Sequence, residues 1–211
     1  ERWQEGFTIT SAPLYFDGLV YTGFAGGERG IRGRVKAFDA RDGKLVWTFY
    51  TIPGPGEVGH DTWPQDNQIW MDGGAPVWNT PAVDPELGLV YFATGNPGPD
   101  YNGSIRRGDN LFSTSIVAVD AKTGAYRWHF QEVHHDIWDY DAASPVTLFD
   151  VELNGTPRKG LAHAGKTGDV AARGALLQGA AHGDVVDRRG VDARALDGFG
   201  DGVAAERRAS G

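Results

Sequence analysis

Four oxygen-bearing side chains in this chain could share one hard cation: Glu28 in AGGERG, Asn96 closing ATGN, and Asp139 with Asp141 in HHDIWDYD. Carboxylate and amide oxygens, with no thiolate among them, are the donors that calcium or a lanthanide takes. In an extended D-x-D both side chains project to the same side, so Asp141 would reach an ion that Asp139 also approaches. A further negative ligand favours a trivalent ion on charge grounds. Each residue alone has a plainer reading, because Asp and Asn at strand ends commonly build turns and Asp141 can be a solvated loop residue. His134 and His135, next to the pair, could be ligands, bases or loop anchors.

The elements that would carry these groups are short strands. From Thr8 to Gln131 the chain alternates Val, Tyr, Phe, Thr and Trp with Gly, Pro, Asp and Asn punctuation and shows almost nothing at helical period. It also repeats. SAPLYFDGLVYTGFAGG from Ser11 lines up with NTPAVDPELGLVYFATGN from Asn79, and ASPVTLFD opens a third unit at Ala143. AFDARDGKLVW and AVDAKTGAYRW share A-x-D-x-x-x-G-x-x-x-W, a strand, a tight turn and a strand ending in Trp47 or Trp128. The expectation is an all-β chain of four-stranded blades that stack radially, with both tryptophans packing blade on blade. Glu28 and Asn96 would sit at equivalent edges of separate blades, pointing toward the propeller axis. Two long loops, 52–77 and 97–110, break the regularity where function tends to sit.

Composition narrows the classes. The net charge of -8, with no Lys/Arg cluster before the C-terminal stretch, argues against nucleic acid as a partner. With Cys 0, disulfide and thiolate chemistry are out. No apolar run of about 18 residues could span a membrane, and ERWQEGFTIT lacks the form of a signal peptide.

The tryptophan repeats, together with GERGIRG, PGEVGHDTWP, GGAPVWNTP, ATGNPGP, RRGDNLFS and HHDIWDYD in this order, resemble the methanol and ethanol dehydrogenase family over residues 5 to 168. These are quinoproteins that use pyrroloquinoline quinone (PQQ), and the resemblance implies a fragment of an eight-bladed β-propeller with tryptophan-docking motifs. It implies calcium or a lanthanide held by the residues matching Glu28 and Asn96, with Asp139 as catalytic base. Asp141 resembles the extra Asp of the lanthanide-using branch, although sugar and polyol dehydrogenases of the same kind also show W-D-x-D. Trp78 matches the aromatic floor beneath the quinone, Lys166 in HAGKTG the cation beside its oxygens, and Thr10 a hydroxyl that contacts it. His134 and His135 then become loop anchors. A small primary alcohol as substrate, a cytochrome c as acceptor, a periplasmic location and a homodimer of the intact parent follow from the resemblance. The alternatives are a membrane-bound sugar or polyol dehydrogenase and a non-catalytic propeller scaffold.

The chain begins without Met, and the family's adjacent-cysteine ring, signal peptide and remaining blades are not in it, so it reads as an internal piece of about two blades and the start of a third. Such a piece is expected to fold poorly and to be inactive alone. From 169 to 211 the chain turns to Ala, Gly, Arg, Asp and Val, without Trp, Tyr, Pro, Lys, Ile or Thr. The expected boundary is therefore at 168, followed by a frame-shifted or disordered tail that supports no site.

Overall fold

The computed structural model describes residues 2–153, 156–167 and 170–175. Strands β1 (Leu14–Phe16), β2 (Leu19–Gly23), β3 (Arg34–Asp39) and β4 (Leu45–Tyr50) form one antiparallel sheet in sequence order. A second sheet repeats the plan with β5 (Ala82–Asp84), β6 (Leu89–Ala93), β7 (Ser115–Asp120) and β8 (Tyr126–Gln131). A third holds β9 (Thr147–Leu153), β10 (Thr156–Ala164) and β11 (Val170–Ala175). The described residues contain no α-helix, only short 3-10 turns.

Side-chain alternation places the core in the seams between sheets. Val90, Phe92, Val117 and Val119 point from the second sheet into a cluster with Tyr21, Val35, Ala37 and Trp47 of the first. Their neighbours Tyr91, Ala93, Ile116 and Ala118 point the other way, onto Ala142, Val146 and Leu161. Because the second sheet is covered on both faces, β7 is buried almost throughout, whereas β3 alternates.

The D-x-x-x-G turns supply the docking points. Asp120 Oδ1 accepts from the backbone N–H of Lys122 and of Thr123, both at 3.0 Å, and Gly124 turns the chain at φ 70°. Trp47 of the first sheet lies over this turn and donates its indole N–H to the Ala121 carbonyl at 3.0 Å, which also accepts from the Tyr21 hydroxyl. A Cβ on Gly124 would fall 2.6 Å from the Trp47 ring, so the turn requires glycine for contact as well as for conformation. Trp128 stands at the same place in the second sheet, half-buried beside Tyr91 at 5.8 Å between ring centroids; the first sheet repeats this with Tyr21 and Trp47 at 5.7 Å.

The expected boundary at 168 meets a paired strand. β11 aligns with β10 from Ala164↔Val170 to Lys159↔Ala175. Backbone hydrogen bonds along a strand edge make few demands on side-chain type, and Ala, Gly and Val satisfy them. Residues 176–211, the rest of the expected tail, lie outside the described residues.

Candidate metal centre

Two return segments enter the molecule between its sheets, and they carry the candidate residues. The first, residues 73–78, hydrogen-bonds to both neighbours. On the first-sheet side Gly74 N–H donates to Ile31 O and Val77 N–H to Phe24 O, at 2.9 and 3.0 Å. On the second-sheet side Ala75 N–H donates to Asn96 O at 2.8 Å and Gly95 N–H to Pro76 O at 2.7 Å. The fit is close enough that a Cβ on Gly23 would lie 2.3 Å from the Val77 carbonyl oxygen. This track delivers Trp78, half-buried, with the Thr10 hydroxyl donating to its carbonyl at 3.4 Å. Among the described residues no aromatic ring packs against the Trp78 indole.

The second return segment carries Asp139 and Asp141. It is not the extended D-x-D expected above: Asp139 and Asp141 have φ of 62° and 53°, in the left-handed region that costs a non-glycine residue about 1–3 kcal/mol. Asp136, fully buried, imposes this shape. Its carboxylate accepts from Trp138 N–H at 2.9 Å, Tyr140 N–H at 3.0 Å and the Thr114 hydroxyl at 2.9 Å. The chain then enters the second seam as Ala142 N–H donates to Thr94 O at 3.0 Å. His135 and His134 anchor the preceding loop, through Gly108 O at 2.7 Å and Asp109 Oδ2 at 3.5 Å respectively.

The two Asp side chains nevertheless converge, on Lys166. Its ammonium lies 2.6 Å from Asp141 Oδ2, 3.0 Å from the Asp139 carbonyl oxygen and 3.9 Å from Asp139 Oδ2. The other Asp141 oxygen accepts the backbone N–H of Asn96 at 2.7 Å, deep in the fold. Asn96 is thus joined to Asp141 and, through Asp141, to Lys166 and Asp139. Asn96 also reaches Asp100, to whose Oδ1 its Nδ2 donates at 2.6 Å. Glu28 sits exposed in a 3-10 turn, Gly27–Arg29, and its charge is felt at Asp100.

Electrostatics give the cluster its character. Burial, then the Asp141 charge, push the Asp139 carboxyl above the usual carboxylate range, with Lys166 pulling the other way. Asp100 is raised first by burial and then by Glu28 and Asp141, against the Asn96 hydrogen bond and the Arg106 charge. Partial burial disfavours the Lys166 ammonium, but the Asp141 hydrogen bond and the surrounding carboxylates outweigh it and hold the lysine charged. Both raised carboxyls owe their shift first to burial, with neighbouring negative charge adding to it, and the Lys166 ammonium supplies positive charge to the cluster.

The donor chemistry is that of a hard metal ion, since Asn96 offers an amide oxygen and Asp139 and Asp141 offer carboxylates, with the Glu28 carboxylate exposed on the neighbouring turn. It is an open set. Among the described residues no three His, Asp or Glu side chains already surround a single point, and Asp141 is engaged by Lys166. A half-buried indole with no aromatic partner among the described residues and a lysine beside the carboxylates are the group types that a planar, electron-accepting cofactor uses. Asp100, Arg106 and Asp136 were not among the residues marked by sequence. The loop 97–110 that carries Asp100 and Arg106 was marked, as was the HHDIWDYD segment that carries Asp136, but side chains placed by loop folding leave no periodic signal.

Residues 1–171 match the model of the glucose/ethanol/alcohol dehydrogenase β-propeller domain that carries the PQQ name. The quinohemoprotein alcohol dehydrogenase ADH IIB of Pseudomonas putida is 42% identical over 175 residues, which are 77% of this chain and 25% of the relative. The quinoprotein alcohol dehydrogenase PedH of the same species is 37% identical over 182 residues, 78% of this chain and 30% of the relative. Among solved structures, the Comamonas testosteroni quinohemoprotein alcohol dehydrogenase gives a TM-score of 0.69 at 38% identity, covering 75% of this chain and 26% of that one. A europium-containing methanol dehydrogenase gives 0.70 at 34% identity, covering 81% and 34%. The chain spans about a quarter to a third of the length of these proteins. With its paired four-stranded sheets, its tryptophan dock and its acidic centre, the chain belongs to the PQQ-dependent glucose/ethanol/alcohol dehydrogenase propeller family.

Proposed function

We propose that this chain forms the metal- and quinone-binding sector of a periplasmic dehydrogenase that oxidises small primary alcohols to aldehydes and passes electrons to a cytochrome c. The observation that carries the reading is the meeting of Asp139 and Asp141 at the Lys166 ammonium, which lies 2.6 Å from Asp141 Oδ2, 3.0 Å from the Asp139 carbonyl oxygen and 3.9 Å from Asp139 Oδ2, while the other Asp141 oxygen accepts the Asn96 backbone N–H at 2.7 Å. Glu28, Asn96 and Asp141 would hold calcium or a lanthanide, and the europium of one structural relative supports a trivalent ion. PQQ bound there would supply the two-electron acceptor. Trp78 would support the ring plane, with Thr10 bracing the Trp78 backbone.

Asp139 is the base. Its side chain is 36% exposed and therefore open to substrate, and its raised proton affinity brings it closer to the pH at which it must take a hydroxyl proton. Lys166 keeps a positive charge beside the acceptor and restrains Asp139 through the carbonyl contact. The alcohol dehydrogenase names of the relatives support the substrate class, and the quinohemoprotein names of ADH IIB and of the Comamonas testosteroni enzyme support a haem-linked acceptor.

The test is dye-linked oxidation of ethanol and glucose by the full-length protein containing this chain, loaded with PQQ and either calcium or lanthanum. Metal-dependent ethanol turnover that Asp139→Ala lowers at least a hundredfold is expected. Turnover of glucose but not ethanol would reject the alcohol reading, and none with either in folded, loaded protein would reject the catalytic one.

A further inference from the structure

We infer that Asp100 is a positioning residue for the metal centre: it sets which end of the Asn96 amide faces the ion. The inference rests on the metal-site reading above and names a residue outside the ligand set expected from sequence.

Asn96 is 2% exposed, and its backbone is pinned on both sides by Asp141 Oδ1 and by the Ala75 N–H. What remains free is the rotation of the terminal amide. Its two orientations have nearly the same shape but exchange an oxygen for an NH2, and only the oxygen can bind a cation. Packing cannot choose between them; a hydrogen-bond partner can. A carboxylate only accepts, and Asp100 Oδ1 stands 2.6 Å from Asn96 Nδ2, with the Pro97 carbonyl a weaker second acceptor at 3.5 Å. With Nδ2 held there, Oδ1 lies on the opposite edge, and it accepts no hydrogen bond among the described residues.

Asp100 is itself fixed from behind. Arg106, fully buried, donates to the backbone carbonyls of Pro99, Asp100 and Asp136 at 3.1, 2.9 and 2.6 Å, and to Asn110 Oδ1 at 2.9 Å. Its guanidinium thus ties the Asp100 loop to the segment that carries Asp139 and leaves the Asp100 carboxylate free to accept from Asn96. Outer partners of this kind commonly change metal affinity by about 10–100-fold.

The experiment compares Asp100→Asn with Asp100→Leu in the full-length protein, using terbium binding read by tryptophan-sensitised luminescence without PQQ, with Asn96→Ala as the ligand control. Both Asp100 variants lose the charge and keep roughly the side-chain shape; Asn retains an oxygen that can accept from Asn96 Nδ2 while the ion holds Oδ1, even though its own NH2 no longer forbids the other orientation, whereas Leu offers Nδ2 no acceptor at all. Asp100→Leu is expected to bind terbium at least about tenfold more weakly than Asp100→Asn. Equal affinities, in variants whose near-UV circular dichroism matches the parent, would overturn the inference while leaving the metal site standing. A parent that does not bind terbium, or an Asn96→Ala variant that binds like the parent, would instead overturn the metal-site reading and this inference with it.

Discussion

The two return segments occupy the same backbone slot and do different work in it. Val77 N–H meets Phe24 O at 3.0 Å in the first, and Ala142 N–H meets Thr94 O at 3.0 Å in the second. The residue before each differs: Pro76 packs its ring where a Cβ on Gly27 or Gly95 would stand within 2.9 Å, whereas Asp141 places a carboxylate against Asn96 N–H and Lys166. The repeat thus builds one slot twice, and a Pro-to-Asp difference turns a packing joint into an ionic one. The first seam should answer to mutation mainly as folding, and the second mainly as binding.

Trp47→Ala should break the first seam at a cost of about 3–5 kcal/mol in urea unfolding, while terbium affinity of the folded fraction stays at the parent value. A drop in that affinity would mean the seams are coupled. Asp141→Ala should cost less, about 1–3 kcal/mol, because it strips the buried Asn96 N–H of its acceptor. It should also weaken terbium binding at least tenfold, and unchanged binding would remove Asp141 from the ligand set.

A smaller effect belongs to His129, which sits edge-on to Phe112 at 4.9 Å and bonds the Tyr126 hydroxyl at 2.8 Å. Burial, and then the His134 charge, depress its pKa from the ordinary 6.5. The folded state therefore binds fewer protons than the unfolded one, so this contribution is full above about pH 6.5 and is lost as pH falls through the depressed value. His129→Phe should flatten that part of the stability profile, and an unchanged slope would show that other groups carry it. The smallest change is expected of Thr10→Val: stability within about 0.5 kcal/mol, with PQQ affinity lowered severalfold if the hydroxyl touches the cofactor. Unchanged PQQ affinity would confine Thr10 to bracing Trp78.

Strand order, the blade repeat and the role of Trp47 were legible because period-two alternation and D-x-x-x-G turns are local properties. The neighbourhood of Asn96, Asp139, Asp141 and Lys166 was legible through family resemblance. The route by which Asp139 and Asp141 meet was not: alternation along extended backbone predicts it for the wrong reason, because the Asp136 carboxylate folds the segment into left-handed turns. Asp100 and Arg106 were invisible for a related reason, since their partners are backbone carbonyls and an amide brought near only by the loop's own course. Past the expected boundary at 168, residues 170–175 pair with β10, since pairing on a strand edge can proceed through backbone alone and leaves little trace in composition.

The Trp47 dock also gives the architecture a direction. One sheet contributes a plug and its neighbour a socket, two dissimilar surfaces, so the joint is heterologous. The first sheet has its own version of the socket at the Asp39–Gly43 turn, and there a Cβ on Gly43 would meet nothing within 4 Å. A head-to-tail joint of this kind repeats until rotation brings the last plug to the first socket. Blade number is then a property of the angle between successive sheets, and small packing changes at a seam far from the acidic centre would be felt as changes in the diameter of the ring that encloses it.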